Sequence, residues 1–225
     1  MAGDVRLTVR RQFPRPGAEV LAAFEGVGTS LVCDARDRIG AVHHSIRPVT
    51  TRRRFVGTAV TVQAGPKDNL ASYAALRVVK PGDVLVITNG GFDGCAAVGD
   101  IYVGLAYNAG AVACVTDGMA RDVAGIEKVG IPVFARGTTP NSPFKNGPGA
   151  VGLPISLGGV PVAPGDVVVG DEDGVVIVPL AEIDRVLPAL EKVKEREAQM
   201  EAWIKGGMTA PPWLDDLLGS GVDWS

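Results

Sequence analysis

Two periods of hydrophobic spacing alternate along the middle of the chain. Residues 55–64, FVGTAVTVQA, are rich in Val and Thr and alternate with the period of two that is typical of a strand. Residues 69–79, NLASYAALRVV, place apolar side chains at helical spacing, with Asn69 in the N-cap position. The next predicted elements are a strand in 80–91, a helix over 98–110 that ends on Gly110, a strand over 111–118, a short helix over 121–130 and a strand over 131–137. This alternation predicts a parallel sheet with crossover helices.

The flanking segments have different patterns. Residues 17–32 carry apolar side chains at helical spacing interrupted by glycines, and they predict a helical stretch. Residues 151–179 predict several short strands, because Gly, Pro and Asp punctuate the apolar run. Residues 180–207 predict a long amphipathic helix with alternating charges.

No linker divides the chain, so the sequence predicts one α/β domain over residues 1–225 with a C-terminal helix. Residues 208–225 form a Pro/Gly-rich tail, and we expect Trp213 and Trp224 to pack on a neighbouring subunit. Hydrophobic residues make up 46% of the chain and charged residues 21%, which suits a soluble protein with a buried core.

The charge balance limits the classes of partner. The chain has 22 Lys and Arg against 25 Asp and Glu, a net charge of −3. Nucleic-acid-binding proteins display a basic face, so we expect no nucleic acid partner, although local arginines could hold a small anionic substrate. The first twenty residues carry charges throughout and lack the apolar stretch of a signal peptide. No apolar run approaches membrane-spanning length, so we expect a cytoplasmic protein with no membrane partner.

The cysteines and histidines do not form a metal or nucleophile motif. Cys33, Cys95 and Cys114 are far apart and form no CxxC pair, so a zinc knuckle or redox dithiol is not indicated. Cys114 lies in an apolar run and is best interpreted as a small buried hydrophobe. His43 and His44 are adjacent, without an HExxH motif or a third histidine, which favours a structural role over a catalytic one.

A glycine-rich stretch, TNGGFDGCAAVGD, ends at the start of a predicted helix. Glycines let the backbone approach a ligand, and free N–H groups at a helix N-terminus suit a carboxylate or phosphate. It is neither a Walker A loop nor a GxGxxG fingerprint, so a plain turn is an equal alternative. Asp100 at the helix start would repel an anion, and a divalent cation at this position would resolve the conflict.

Arg121 and Asp122 lie side by side in TDGMARD, after a predicted buried strand. An Asp in the first turn of a helix is common because it complements the helix dipole, and the Arg could simply be solvated. The alternative is functional, since ligands bind at the carboxyl ends of strands in β/α units. A carboxylate oxygen suits Mg²⁺, which needs few protein ligands, and an arginine forms a bidentate pair with a substrate carboxylate.

Several motifs in order form one recognisable set. They are KDNLASYAAL, PGDVLVI, the GD pair at 99–100, AGAVACVTDGMARD, GIPVFARG and GGVPVAPGDVVVGDEDGVVIVP. Together they resemble the 4-hydroxy-4-methyl-2-oxoglutarate aldolase family, also called 4-carboxy-4-hydroxy-2-oxoadipate aldolase, which shares its fold with the regulator of ribonuclease activity A. The resemblance extends from about residue 20 to about residue 206.

The resemblance implies a swivelling β/β/α domain of the phosphohistidine-domain type, assembled as a homotrimer or homohexamer with the site at a subunit interface. It implies a class II pyruvate aldolase of aromatic degradation, a carbon–carbon lyase that depends on Mg²⁺ (or Mn²⁺). The substrates would be 4-hydroxy-4-methyl-2-oxoglutarate or 4-carboxy-4-hydroxy-2-oxoadipate, cleaved to pyruvate plus pyruvate or oxaloacetate. Oxaloacetate decarboxylase activity would accompany the cleavage, because both reactions pass through the same enolate.

The resemblance also implies roles for individual residues. Asp122 matches the metal ligand and Arg121 the residue that contacts the substrate. A glutamate of the neighbouring subunit's C-terminal helix, Glu197 with Glu195 as the alternate, would complete the site. Gly99, Asp100, Ile101 and Tyr102 would line the pocket. Asn69 and Asp100 would hold metal-bound water. Lys145 would reach in from the neighbouring subunit.

One position departs from the family pattern and two hypotheses compete with the aldolase. Many members have two leucines after the Gly-Asp pair, whereas this chain has Ile101 and Tyr102. We therefore expect the Tyr102 ring near the pocket mouth, where it would affect substrate preference. The main alternative function is a non-catalytic regulator of ribonuclease activity that acts by protein contact. A phosphohistidine carrier is weaker, since His43 and His44 lie outside any Gly-rich loop.

Overall fold

The computed structural model describes residues 6–219, 221 and 222 of the chain. Its strands are β1 (Leu7–Val9), β2 (Arg47–Pro48), β3 (Phe55–Ala64), β4 (Asp83–Thr88), β5 (Ala96–Val98), β6 (Ala113–Thr116), β7 (Met119–Ala120), β8 (Val133–Ala135), β9 (Gly149–Val151), β10 (Ile155–Leu157), β11 (Val160–Val162), β12 (Val167–Gly170) and β13 (Val175–Val178). Its helices are α1 (Ala18–Ala22), α2 (Thr29–Ala35), α3 (Leu70–Ala75), α4 (Asp100–Asn108), α5 (Val123–Val129), α6 (Ile183–Lys205) and α7 (Leu214–Leu218).

The centre of the fold is a nine-stranded mixed sheet. Its strands β3, β4, β6 and β8 are neighbours in that order and pair in parallel. On the other edge of β3, β12 and β9 pair antiparallel. Every residue of β4 and β6 is buried, as expected for central strands that are covered on both faces. The predicted parallel sheet with crossover helices is therefore confirmed.

Three apolar layers hold the sheet in place. Helices α3, α4 and α5 pack on one face around side chains such as Val60, Ile87 and Val103. The opposite face packs against β10, β11 and β13 around Phe134 and Leu157. Helices α2 and α6 cover the β12–β13 hairpin. The burial of these apolar side chains makes the main favourable contribution to the free energy of folding.

The flanking segments differ in detail from their predicted forms. The helical stretch predicted over 17–32 is two short helices, separated by a turn over residues 23–26 in which Gly26 has φ +72°. The short strands predicted over 151–179 and the long helix predicted over 180–207 are confirmed as β9–β13 and α6. A short 3₁₀ turn, Leu180–Glu182, precedes α6.

The mixed α/β class with a C-terminal helix is thus observed, while the finer label of a swivelling phosphohistidine-type domain stays a prediction. So does the division into one domain and a tail over 208–225. In that tail Trp213 is 51% exposed, and Trp224 lies outside the described residues. Within the described part of the chain, no helix combines the length and the apolar character needed to span a bilayer.

Candidate active site

The two motif pairs of the sequence are brought together by a small parallel ribbon. Strand β5 pairs with β7, and the backbone N–H of Arg121 donates to the Val98 carbonyl at 3.1 Å. The residues that follow each strand, Gly99 and Asp100 after β5, and Arg121 and Asp122 after β7, therefore lie next to each other. A methyl group added at Gly99 would lie 3.1 Å from Asp122 Oδ2, so glycine leaves room for this approach.

Asp122 occupies the N-cap position of α5 in the left-handed conformation, with φ 56° and ψ 40°. The sequence placed this residue inside the first turn, and the structure corrects that by one position. Its side chain makes no capping hydrogen bond, so dipole complementation does not account for its orientation. Non-glycine residues in this region cost about 1 kcal/mol, with Asp and Asn among the most tolerant, and such strain clusters at functional sites.

Arg121 is held between two partners. Its Nε lies 3.1 Å from Asp122 Oδ2, and its Nη1 donates a hydrogen bond to Ser142 Oγ. The side chains of Arg121 and Asp122 are 32% and 46% exposed, which leaves both accessible to a ligand. Two fixed contacts define the plane of the guanidinium, so it presents its remaining donors in one direction.

A cavity of about 160 Å³ has Arg121 in its wall, whereas Asp122 contacts Arg121 but does not itself line the cavity. The structure brings to its walls seven residues that the sequence selected, namely Asn69, Gly99, Asp100, Ile101, Tyr102, Arg121 and Lys145. The wall also contains residues that the sequence did not select, namely Tyr73, Ala96, Ala97, Val98, Ser142 and Pro143. A volume of this size suits a small organic acid.

Asp100 begins α4 and its carboxylate lies across from α5. One carboxylate oxygen, Oδ1, accepts a hydrogen bond from the Ile101 backbone N–H at 2.7 Å. The other, Oδ2, would be only 2.4 Å from a methyl group added at Gly125. Glycine at position 125 is therefore required for the two helix starts to approach, and it fixes where the Asp100 carboxylate can lie.

Asn69 is a buried polar residue with an unused acceptor. It is 5% exposed, and its Oδ1 has no hydrogen-bond partner. Its Nδ2 is 3.5 Å from the Ala97 carbonyl, a weak contact, and the side chain makes no cap to α3. A buried acceptor without a partner costs about 1–3 kcal/mol. Because Asn69 lines the cavity, a bound water or ligand group would satisfy it.

The expectation for the Tyr102 ring is wrong. Tyr102 is 2% exposed and its hydroxyl donates to the Ser72 carbonyl at 3.1 Å. Burial raises the pKa of this hydroxyl well above its usual value, so it stays a protonated donor. The ring packs in the core at an edge-to-face angle against Tyr73. The neighbouring Ile101, which is 68% exposed, is the residue of this pair at the surface.

Two residues expected from a neighbouring subunit have different outcomes. Lys145 lines the cavity of its own chain, with Nζ 5.3 Å from the centre of the Tyr73 ring, which places it in the site without a second subunit. Glu197 lies on α6 and borders a separate cavity together with Asp34 and Arg38. Glu195 is on the same helix. Since these glutamates were expected from another subunit, their role stays a prediction.

The donor set fits a hard cation that keeps most of its water. In the described part of the chain, no three His, Cys, Asp or Glu side chains cluster as metal ligands. The available oxygen donors are the accessible carboxylate of Asp122, with Asp100 and the free Asn69 Oδ1 nearby. Few oxygen ligands plus water is the pattern that Mg²⁺ accepts, whereas a structural zinc site would require four closed ligands.

The other candidate residues lie elsewhere. Gly90 and Gly91 have positive φ and border a different cavity, which His43 and Arg136 also line. His43 and His44 stack with ring centres 4.2 Å apart. Cys114 is fully buried, and burial raises the pKa of its thiol to about 12, which agrees with the interpretation of a small hydrophobe.

Ser142 is the polar residue that sequence reasoning missed. It lies in the loop between β8 and β9, within TTPNSPFKNGPG, and its hydroxyl accepts the Arg121 hydrogen bond. No local motif marks it, because a serine in a Pro/Gly-rich loop is ordinarily a turn residue. Only its position opposite Arg121 distinguishes it.

Comparison with known proteins places these features in a family. The family model described as "RraA-like: Aldolase/RraA" matches residues 29–177. A Halalkalibacterium halodurans protein is 38% identical over 184 residues, covering 82% of this chain and 86% of its own length. A Bacillus cereus protein is 31% identical over 150 residues, covering 66% of this chain and 94% of its own. Both carry the name "Putative 4-hydroxy-4-methyl-2-oxoglutarate aldolase".

The similar solved structures include one that is described as belonging to a family of ribonuclease inhibitors rather than as an aldolase. Streptomyces coelicolor RraAS2, described as an unusual member of the RNase ES inhibitor RraA protein family, is 28% identical with a TM-score of 0.73. The match covers 84% of this chain and 99% of that one. An uncharacterized protein from Pseudomonas syringae is 30% identical with a TM-score of 0.78, covering 88% of this chain and 97% of its own.

Proposed function

Because this chain belongs to the Aldolase/RraA family, we propose that it is a divalent-metal-dependent aldolase that cleaves a 4-hydroxy-2-oxo acid and releases pyruvate. The proposed substrates are 4-hydroxy-4-methyl-2-oxoglutarate and 4-carboxy-4-hydroxy-2-oxoadipate, with oxaloacetate decarboxylation as a side activity. The observation that carries the proposal is the contact of Asp122 with Arg121, which lines a small cavity together with Asp100 and Asn69.

Arg121 is suited to bind the end of the substrate that carries the C4 carboxylate. A guanidinium forms two parallel hydrogen bonds with a carboxylate, and such charge-assisted bonds are about twice as strong as neutral ones. The contacts to Asp122 and Ser142 hold the guanidinium in place before the substrate arrives. Orientation of this kind lowers the barrier because the reacting groups need less ordering in the transition state.

The chemistry requires one proton to leave and one bond to break. The C4 hydroxyl loses its proton, C4 becomes a carbonyl, and the electron pair of the C3–C4 bond passes into the pyruvate half, which then takes a proton at C3. A bound divalent cation would supply a Lewis acid for the negative charge that develops on that half. Asp122 and water would hold the cation, with Asn69 Oδ1 accepting from one of those waters. Asp100 would hold the water that accepts the C4 proton.

The homo-oligomer belongs to the same proposal. In a single chain Asp122 is 46% exposed and stands outside the lining of the cavity, so one side of the proposed metal site is uncovered. We expect Glu197, or Glu195, of a neighbouring subunit to close this side in a trimer or hexamer. Water exclusion by a second chain would strengthen the electrostatic contacts of Arg121.

The proposal is tested by pyruvate release from 4-hydroxy-4-methyl-2-oxoglutarate and from oxaloacetate, measured with Mg²⁺, with Mn²⁺ and with EDTA. We expect turnover with either metal and its loss in EDTA. Asp122→Ala should reduce the rate with metal to the rate measured in EDTA, because the only direct protein ligand is removed. Asp173→Ala, an exposed carboxylate outside the cavity, serves as the matched control. Full activity of Asp122→Ala would refute the assignment.

The similarity to Streptomyces coelicolor RraAS2 supports a second candidate, a regulator of a ribonuclease that acts by contact. The same assay separates the two hypotheses. Absence of pyruvate release from every 4-hydroxy-2-oxo acid tested, by a folded protein in the presence of metal, would favour the regulator.

A further inference from the structure

A second and larger concave surface lies at the opposite ends of the two helices that start at the candidate active site. We call it the basic groove, and its volume is about 860 Å³. It is lined by Arg52, Arg53, Arg54, Phe55, Val56, Tyr107, Gly110, Ala111, Val112, Lys128, Val129, Gly130, Ile131, Pro132 and Glu172. Most of these residues directly precede or begin β3, β6 and β8, so the groove is at the amino ends of the parallel strands.

The groove is positively charged although the protein as a whole is not. Four cationic side chains and one carboxylate line it, whereas the chain carries a net charge of −3. Arg54 pairs with Glu172 at 3.2 Å, but both side chains are about half exposed and such pairs contribute little. Arg52 and Arg53 have no carboxylate within 4.0 Å among the described residues.

A second carboxylate close to this segment, Glu127, forms its hydrogen bonds with Thr51 rather than with an arginine. Glu127, on α5, accepts hydrogen bonds from the backbone N–H of Thr51 at 3.0 Å and from its hydroxyl. These bonds, with a smaller contribution from the nearby positive charge of Arg52, hold the pKa of the Glu127 carboxyl below its ordinary value. Its oxygens are thus directed at Thr51, and the guanidinium groups of Arg52 and Arg53 remain available to an external anion.

An aromatic ring and an apolar floor accompany the cations. Tyr107, in the last turn of α4, is 54% exposed and lines the groove. The floor beneath it is formed by apolar side chains that include Val112, Val129 and Ile131. An exposed tyrosine ring beside apolar side chains in one cavity can provide a stacking surface for a planar group.

The size of the groove indicates a compact ligand. Small-molecule and cofactor sites occupy about 300–1,000 Å³, and the basic groove lies within that range. A polymer such as RNA would need a longer basic track than four side chains in one concavity. The combination of several arginines with a ring fits a ligand that has clustered phosphates and a planar base.

We propose that the basic groove binds a nucleoside di- or triphosphate. The phosphates contact Arg52, Arg53 and Lys128, and the base stacks on Tyr107. The site is separate from the proposed catalytic cavity, since α5 alone places about 10 Å of helix between Asp122 and the groove. The proposal does not rest on the aldolase function, because binding is measured directly.

The test is calorimetric titration of the full-length protein with ATP, in EDTA so that a cation at Asp122 does not contribute. We expect saturable binding that weakens as salt is raised. Arg52→Ser/Arg53→Ser should weaken it at least about tenfold, since two charge-assisted contacts are lost. The matched control is Arg10→Ser/Arg11→Ser, an adjacent exposed arginine pair elsewhere on the chain, which should bind ATP as the parent does.

Four comparison ligands, adenosine, tripolyphosphate, a tricarboxylate and a single-stranded oligonucleotide, test the proposal further. Adenosine and tripolyphosphate should each bind several-fold more weakly than ATP, and Tyr107→Ser should remove the preference for ATP over tripolyphosphate. Equal ATP affinity in the two double variants would overturn the site. Tripolyphosphate or a tricarboxylate that binds as tightly as ATP would overturn the nucleotide class. A single-stranded oligonucleotide that binds more tightly than ATP would replace it with nucleic acid.

Discussion

Helices α4 and α5 begin at carboxylates and end beside cations. Asp100 and Asp122 stand at their N-termini, and Lys128 lies in the last turn of α5. Both placements complement the helix dipole, so the sign of a charge at a helix end does not by itself indicate a site. The N-terminal and C-terminal ends of these helices differ in features that the helix dipole does not explain. At the first end, Asp122 adopts a left-handed conformation and Asn69 has an unsatisfied oxygen. At the C-terminal end, the arginines of the basic groove come from a segment outside the two helices.

The two regions also differ in enclosure. The active-site cavity is small, and its polar groups already contact one another, as Arg121 does with Asp122 and Ser142. The basic groove is five times larger in volume, at about 860 Å³ against about 160 Å³, and its cations are largely unpaired among the described residues. Preorganised contacts are what catalysis requires, whereas accessible charge suits reversible binding. Variants should therefore separate the two regions cleanly.

The largest effect is expected for Arg121→Ala. Removing the proposed carboxylate-binding group should lower kcat/KM for 4-hydroxy-4-methyl-2-oxoglutarate by about 10²–10³-fold, the range seen when one preorganised donor is lost. ATP affinity should stay at the value of the parent protein, because Arg121 does not line the groove. Arg47→Ala, an exposed arginine bonded to the Asp173 carbonyl, is the control. A parallel loss of catalysis and ATP binding would show that the regions are not separate.

A smaller effect is expected when the approach of the two helix starts is blocked. The added methyl in Gly125→Ala would lie 2.4 Å from Asp100 Oδ2, so the carboxylate must move. Misplacement of about 1 Å in an active site costs up to about 100-fold in rate, and we expect a loss of about tenfold or more.

The matched control for this change is Gly104→Ala. Its methyl would be 3.8 Å from Val129 Cγ2, an ordinary contact. Alanine is favoured over glycine in a helix interior by about 1 kcal/mol, so this variant should raise the melting temperature and keep the parental kcat/KM. Equal kinetics in the two variants would argue against a defined position for Asp100.

The smallest of the three effects is expected for Ser142→Ala. Loss of the hydroxyl removes one of the two contacts that hold Arg121. Partners that orient a site residue typically contribute about 10–100-fold, and we expect the lower end because Asp122 still holds the guanidinium. The loss of activity should appear mainly as an increase in KM. Ser142→Thr, which keeps a hydroxyl, should restore the parental KM. An unchanged KM in Ser142→Ala would remove Ser142 from the site.

Local pattern was sufficient for the main elements of the fold. The period of two in 55–64 and the helical spacing in 180–207 correspond to β3 and α6, because each has one dominant environment along its length. The boundary of the first helix could not be placed, since it ends at Ala22 and the chain then turns through Gly26, whose positive φ sequence spacing does not report. Strands β5 and β7, with three and two residues, are too short to have a period.

For the candidate site, the amino-acid sequence was sufficient to select the candidate residues, because Gly-Asp and Arg-Asp are contiguous pairs with characteristic side chains. Only the tertiary structure decided that they meet, through the β5–β7 ribbon, and that Ser142 holds Arg121. It also decided that the Tyr102 ring is buried, since an aromatic next to a site can point to either side of its helix.

The basic groove follows the same logic. The run of Arg52, Arg53 and Arg54 is visible in the sequence, but a net charge of −3 averages over the whole surface and conceals it. Lys128 and Tyr107 join the run only because α4 and α5 end beside the start of β3. Residue identity is a local property that the sequence carries. The electrostatic field and the shape of a site depend on several segments of the chain, which only folding brings together.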